Sequence, residues 1–104
     1  MLPFVSLNAA TTTGAGTSRD MEGLYRYVTM AMSATGSPST VNIDLEGSHD
    51  GTNWVVLAGA ALSQGAVSVN AHLIRYVRAN LKTLTGGSSP TVTATIASVG
   101  VRGD

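Results

Sequence analysis

Hydrophobic and polar positions alternate along most of this chain. In residues 25–34 (YRYVTMAMSA), Val28, Met30 and Met32 fall on one side, and Tyr27, Thr29, Ala31 and Ser33 on the other. Residues 41–47 set Val41, Ile43 and Leu45 against Asn42, Asp44 and Glu46. Residues 73–84 (LIRYVRANLKTL) contain helix formers, yet Val77, Ala79 and Leu81 still alternate with Tyr76, Arg78, Asn80 and Lys82. The cleanest case is 91–98 (TVTATIAS), with Val92, Ala94 and Ile96 on one face and threonines on the other. A period of two is the signature of a strand with one buried and one wet face. Threonine-rich outer faces favour strands over helices.

Further strands are predicted at Leu2–Leu7, Arg19–Glu22, Asn53–Ala58 and Ala66–Val69. Pro3 cannot donate to a ladder, so it suits the start of the first strand. Turns punctuate the pattern at 35–39 (TGSPS) and 85–90 (TGGSSP), and a small-residue connection is expected over Gly59–Gly65. Between Gly47 and Trp54, the Asp50-Gly51 pair is a strong hairpin signal, because glycine accepts positive φ and aspartate bonds its own backbone. Seven or eight short strands at about 8–12-residue spacing predict an all-β, single-domain antiparallel β-sandwich of jelly-roll type, without a substantial helix. The expected division is an N-terminal strand and arm or loop over 1–18, a sandwich over 19–100 and a C-terminal tail over 101–104.

The chain has 104 residues, which suits one domain. Its formal net charge is zero and only 12% of residues are charged, against about 25% in ordinary soluble domains. There is no basic surplus of the kind nucleic acid selects, and no polybasic or 18-residue apolar segment for a membrane. The first residues do not read as a secretory signal, so the cytoplasm of the producing cell is the expected place of synthesis. Having no cysteine, the chain excludes disulfides and thiolate metal sites. A neutral surface of Thr, Ser, Asn and small apolar residues resists association poorly, which suggests work inside a larger assembly.

The stretch 45–57 (LEGSHDGTNWVVL) concentrates the candidate chemistry. Asp44 and Glu46 stand two residues apart, about 7 Å along one strand face. That face lies opposite Val41, Ile43 and Leu45, so both acids are expected in solvent. Solvated carboxylates lack the raised pKa of a glycosidase acid. With His49 or Asp50 they lack the dense ligand spacing of metal motifs. Trp54 is expected as a core or half-core anchor after the turn. His72 has no nucleophile motif to serve, and neither a G-x-S-x-G elbow nor a P-loop occurs. No catalytic, cofactor or metal residues are therefore assigned. Arg75 and Arg78 should differ in face. One should turn inward or to an edge and be clamped by an acid such as Asp44 or Asp50, or pair with another subunit. Arg102-Gly103-Asp104 spells the integrin tripeptide but at a chain end, where fraying removes the loop presentation it needs.

The series Val41-x-Ile43-x-Leu45-Glu46-Gly47-Ser48-x-Asp50-Gly51-Thr52-x-Trp54-Val55-x-Leu57, then Arg75-Tyr76-Val77-Arg78-Ala79, Gly86-Gly87 and Pro90-Thr91-Val92-Thr93-Ala94, resembles a small β-sandwich found among virion proteins of tailed bacteriophages. Its Ser-x-Asp-Gly-x-x-Trp and Arg-Tyr-Val-Arg pieces also resemble discoidin-like (galactose-binding-like) jelly rolls. The phage resemblance implies a non-enzymatic capsid decoration (cementing) protein on the virion surface. Its partners would be the major capsid protein and copies of itself, commonly as trimers, with residues 1–18 as an arm along the shell. A tail or baseplate component is the alternative. The discoidin resemblance implies a carbohydrate-binding module using Tyr25, Tyr27 and the Asp50–Asn53 loop. Candidate partner-contact residues are thus Tyr25, Tyr27, His49, Asp50, Asn53, Arg75 and Arg78.

Overall fold

A computed structural model describes residues 3–21, 25–70 and 74–101. The strands are β1 (Phe4–Ala10), β2 (Gly14–Ala15), β3 (Arg19–Asp20), β4 (Tyr25–Thr35), β5 (Thr40–Ser48), β6 (Trp54–Ala61), β7 (Ala66–Asn70), β8 (Tyr76–Thr85) and β9 (Thr91–Val101). Among the described residues the only helix is a single 3-10 turn at Leu62–Gln64. One sheet has the order β1-β9-β4-β7; the other has β2-β8-β5-β6, with β3 also pairing β8. All pairings are antiparallel. Counting β2 and β3 as one interrupted edge gives eight strand positions, and the chain changes sheet at every connection except the β5–β6 hairpin. That interleaving is the double Greek key of a jelly roll, as the sequence pattern predicts.

The alternation places the core where expected. Val28, Met30 and Met32 of β4 and Val92, Ala94 and Ile96 of β9 face Val41, Ile43 and Leu45 of β5 and Val77, Ala79 and Leu81 of β8, all buried. Ile43, Leu45 and Ile96 have no exposed surface, and burying each such side chain contributes about 1.5–3 kcal/mol. Tyr76–Thr85 forms a strand rather than a helix, because Val77, Ala79 and Leu81 all meet this core.

Two boundaries differ from expectation. The connection foreseen over Gly59–Gly65 is shorter, because β6 continues to Ala61. Ile43↔Ala60 and Asn42↔Ala61 keep the ladder going, and the Ala60 methyl is small enough to enter the core. The strand foreseen over Arg19–Glu22 stops at Asp20, and Met21 turns in, 1% exposed.

The segment after β1 is fastened to the sandwich. β1 pairs with β9 through Phe4↔Ile96 and Val5↔Thr95. The chain then crosses to the other sheet, where Gly14↔Leu81 and Arg19↔Val77 continue the β8 ladder. Thr17 N donates to Ser6 O (2.8 Å) and Gly16 N to Ala79 O (2.8 Å). The side chain of Ser6 completes the link. Its Oγ donates to Thr17 O (2.7 Å) and accepts from Ala79 N (2.8 Å).

Candidate interaction surfaces

The outer faces of the two sheets are chemically unlike. β1, β7 and β9 contain no charged residue, and β4 contains only Arg26, next to its first residue. Among the described side chains, the outward positions of this sheet are uncharged. They carry Val5 on β1, Tyr27, Thr29, Ala31, Ser33 and Thr35 on β4, Ala66 and Ser68 on β7, and Thr91, Thr93, Thr95 and Ala97 on β9. Cross-strand hydroxyl pairs, Thr29 with Ser68 (2.8 Å) and Thr35 with Thr91 (2.5 Å), satisfy part of this surface internally. Val5 and Tyr27 are 46% and 44% exposed.

The five-stranded sheet holds the charge. Arg19, Asp20, Asp44, Glu46, Arg78 and Lys82 lie on its strands, with His49, Asp50 and Arg75 in its connections. Glu46 departs from expectation. It does face outward, but it is 7% exposed rather than solvated. Arg78 from β8 covers it, Nε to Oε1 at 2.8 Å, and Asn80 Nδ2 donates to Oε2 at 3.1 Å. The Arg78 guanidinium in turn lies over the Trp54 ring, 4.1 Å from its centroid. Register causes this: Glu46 opposes Arg78 on β8, so that long side chain folds over it toward Trp54 of β6. Trp54 is half-buried on this outer layer, not between the sheets.

The arginine clamps are intramolecular, but their partners are neither Asp44 nor Asp50. Arg75 holds Asp20 through Nε–Oδ1 and Nη2–Oδ2, both 3.0 Å. Arg78 holds Glu46. The argument from alternating faces fails for Arg75 because β8 begins one residue later, at Tyr76.

The Asp50 carboxylate is consumed by its own turn. Oδ1 accepts from Asn53 N (2.8 Å), Thr52 N (2.9 Å) and Ser48 Oγ (2.9 Å), and Oδ2 accepts from Asn53 Nδ2 (2.8 Å). Ser48 Oγ accepts from Gly51 N (2.9 Å) and Asp50 N (3.2 Å). Led by the Asn53 and Thr52 backbone donors, these bonds hold the Asp50 carboxyl far below the usual carboxylate range. Gly51, at φ +78°, supplies the left-handed step. His49 is exposed beside this turn.

The residues read as a sugar platform belong to different sheets. Tyr27 stands on the uncharged face, whereas Asp50 and Asn53 belong to the β5–β6 hairpin. The side chain of Tyr25, together with His72 and the Arg102–Asp104 tripeptide, lies outside the described residues. An open groove of about 340 Å³ runs between the starts of β4–β5 connection residues Pro38 and Ser39, the first residues of β5 and Ala61–Ser63. Its lining has hydroxyl, amide and apolar groups and no charge. Sequence reasoning missed the Glu46–Arg78–Trp54 stack. The available signal was the alternation itself, which places all three on the outer layer.

No family model and no curated protein matches this sequence. The fold is similar to solved structures at low identity. The SPBc2 prophage-derived protein YomS superposes with a TM-score of 0.64 at 18% identity, over 91% of this chain and 90% of that one. The PBSX exported protein XepA gives 0.65 at 12% identity over 92% of this chain, which spans only 37% of XepA. The Yersinia pseudotuberculosis-derived mitogen gives 0.57 at 12% identity, over 94% of this chain and 87% of that one.

Proposed function

We propose that this protein is a non-enzymatic structural component of a bacteriophage particle, a decoration protein that seats the outer face of its four-stranded sheet on the head shell. The observation that carries the reading is the division of charge between the two faces. A surface without charged groups can be covered by another protein without stripping water from ions, and interface cores are depleted in charge. Flat β-sheet geometry and short side chains allow close approach over many residues. The likeness in fold to a prophage-derived protein along nearly the whole chain supports the phage setting. Three carboxylates on the other sheet serve the fold: Glu46 is held by Arg78, Asp20 by Arg75, and Asp50 by its turn.

The test is the number of copies per purified virion, counted by quantitative mass spectrometry. Hundreds of copies support a shell role, and a handful moves the protein to the tail. Absence from virions overturns the reading. Thr95 lies near the middle of the uncharged face, so Thr95→Glu should weaken binding to undecorated heads at least tenfold, a loss of about 1.4 kcal/mol or more. Unchanged binding by this variant would remove the face assignment.

A further inference from the structure

Among the described residues, β6 is the longest strand at an edge of the sandwich, and it carries neither a charge nor a proline. Exposed edges are usually blunted by shortness, proline, charge or irregularity. β1 follows Pro3 and breaks register twice, β2 and β3 have two residues each, with Arg19 and Asp20 in β3, and β7 has five residues. β6 runs for eight residues, WVVLAGAA, without a charge or a proline. It pairs only with β5, and Val55 and Val56 beside that edge are 58% and 56% exposed.

We propose that β6 pairs antiparallel with β6 of a second copy of this chain, about a two-fold axis between Leu57 and Ala58, joining two five-stranded sheets into one. Two features of the strand fit a second copy. Its first half is large (Trp54, Val55, Val56) and its second half small (Ala58, Gly59, Ala60, Ala61). Antiparallel self-pairing therefore sets each large side chain against a small one: Trp54 against Ala61, Val55 against Ala60, Val56 against Gly59. The faces match only because of the bulge between Leu45 and Glu46, where β6 has one extra residue. Trp54 and Val56 oppose outward Ser48 and Glu46, while Gly59 and Ala61 oppose outward Asp44 and Asn42. Val55 shares the inward side with Ala60. In a strand without the bulge, those pairs would point to opposite faces.

This association is independent of the shell-binding reading, since it uses the other sheet.

Sedimentation equilibrium of the purified chain should show a monomer–dimer equilibrium. Val56 is exposed, so Val56→Lys should leave the thermal melt of the monomer intact while raising the dimer dissociation constant at least tenfold. The natural chain has no cysteine, so a Val55→Cys, Ala60→Cys double variant reports register directly. Those positions are about 15 Å apart within one strand, too far for an internal disulfide, and oxidation should yield a covalent dimer. A chain that sediments only as a monomer, a trimeric mass, wild-type association by Val56→Lys, or a double-cysteine variant that stays monomeric on oxidation would each overturn the pairing.

Discussion

Glu46 Oε1 sits 2.8 Å from Arg78 Nε, with side-chain exposures of 9% and 23%. The two residues face each other across the β5–β8 ladder, and the guanidinium is pressed between this carboxylate and the Trp54 ring. The arrangement makes an outer layer on the five-stranded sheet, fixed by one ion pair, one amide and one aromatic face. Removing the cation leaves a desolvated carboxylate behind. Arg78→Ala should therefore cost about 2–4 kcal/mol in urea unfolding, near the low end for a broken buried pair. Glu46→Gln keeps an acceptor and leaves a guanidinium that still reaches solvent, so it should cost only about 1 kcal/mol. Equal losses for the two variants would show that the pair is not desolvated in the way its burial implies.

The Asp50 turn predicts a pH dependence with a definite sign. The native carboxyl is held below its ordinary range, whereas in the unfolded chain it titrates near 3.9. Its contribution is therefore complete above that unfolded value and is lost as pH falls toward the depressed native one. Melting temperatures of wild type and Asp50→Asn, followed from pH 7 to pH 2, should differ by a constant amount above about pH 5 and converge below about pH 4. A gap that widens on acidification would contradict the assignment.

Ser6 joins the two sheets through a buried hydroxyl, 4% exposed. Ser6→Ala strands the Ala79 N–H inside the sandwich, an expected loss of about 1–3 kcal/mol. Because the same hydroxyl holds Thr17, cleavage within residues 8–18 under limited proteolysis should accelerate along with the loss of stability. Destabilisation without faster cleavage there would mean that Ser6 does not anchor the crossing segment.

The Arg75–Asp20 pair is doubly hydrogen-bonded but 54% and 35% exposed. Asp20→Asn should change stability by less than about 1 kcal/mol, and raising salt to 1 M should erase most of the difference. A salt-independent loss would point to a structural role for Asp20 beyond the ion pair.

The strands of the core were legible in the sequence because each buried side chain recurs at every second position, and few polar residues interrupt it. The jelly-roll class followed from strand number and spacing. Asp50-Gly51 was legible as a turn, since its chemistry is local. What lay above Glu46 was not: alternation assigns a side chain to a face, but a bulge and a partner 32 residues away decide whether that face is covered. Arg75 was misjudged because its strand begins one residue later than the hydrophobic pattern. The pairing of Gly14–Ala15 and Arg19–Asp20 with β8 was hidden for a related reason. Backbone hydrogen bonds from residues of low strand propensity leave no periodic trace.

The ladder joining Phe4 to Ile96 also sets a schedule for biosynthesis. β1 leaves the ribosome first, but its partner β9 is made last. The four-stranded sheet thus lacks one of its two central strands until every other strand has been made. Contacts this distant in sequence fold slowly, and nascent intermediates with open strand edges are prone to aggregation. The assembled sandwich is in that sense a late event: a copy competent to join any larger structure exists only after β9 has been made and has reached β1.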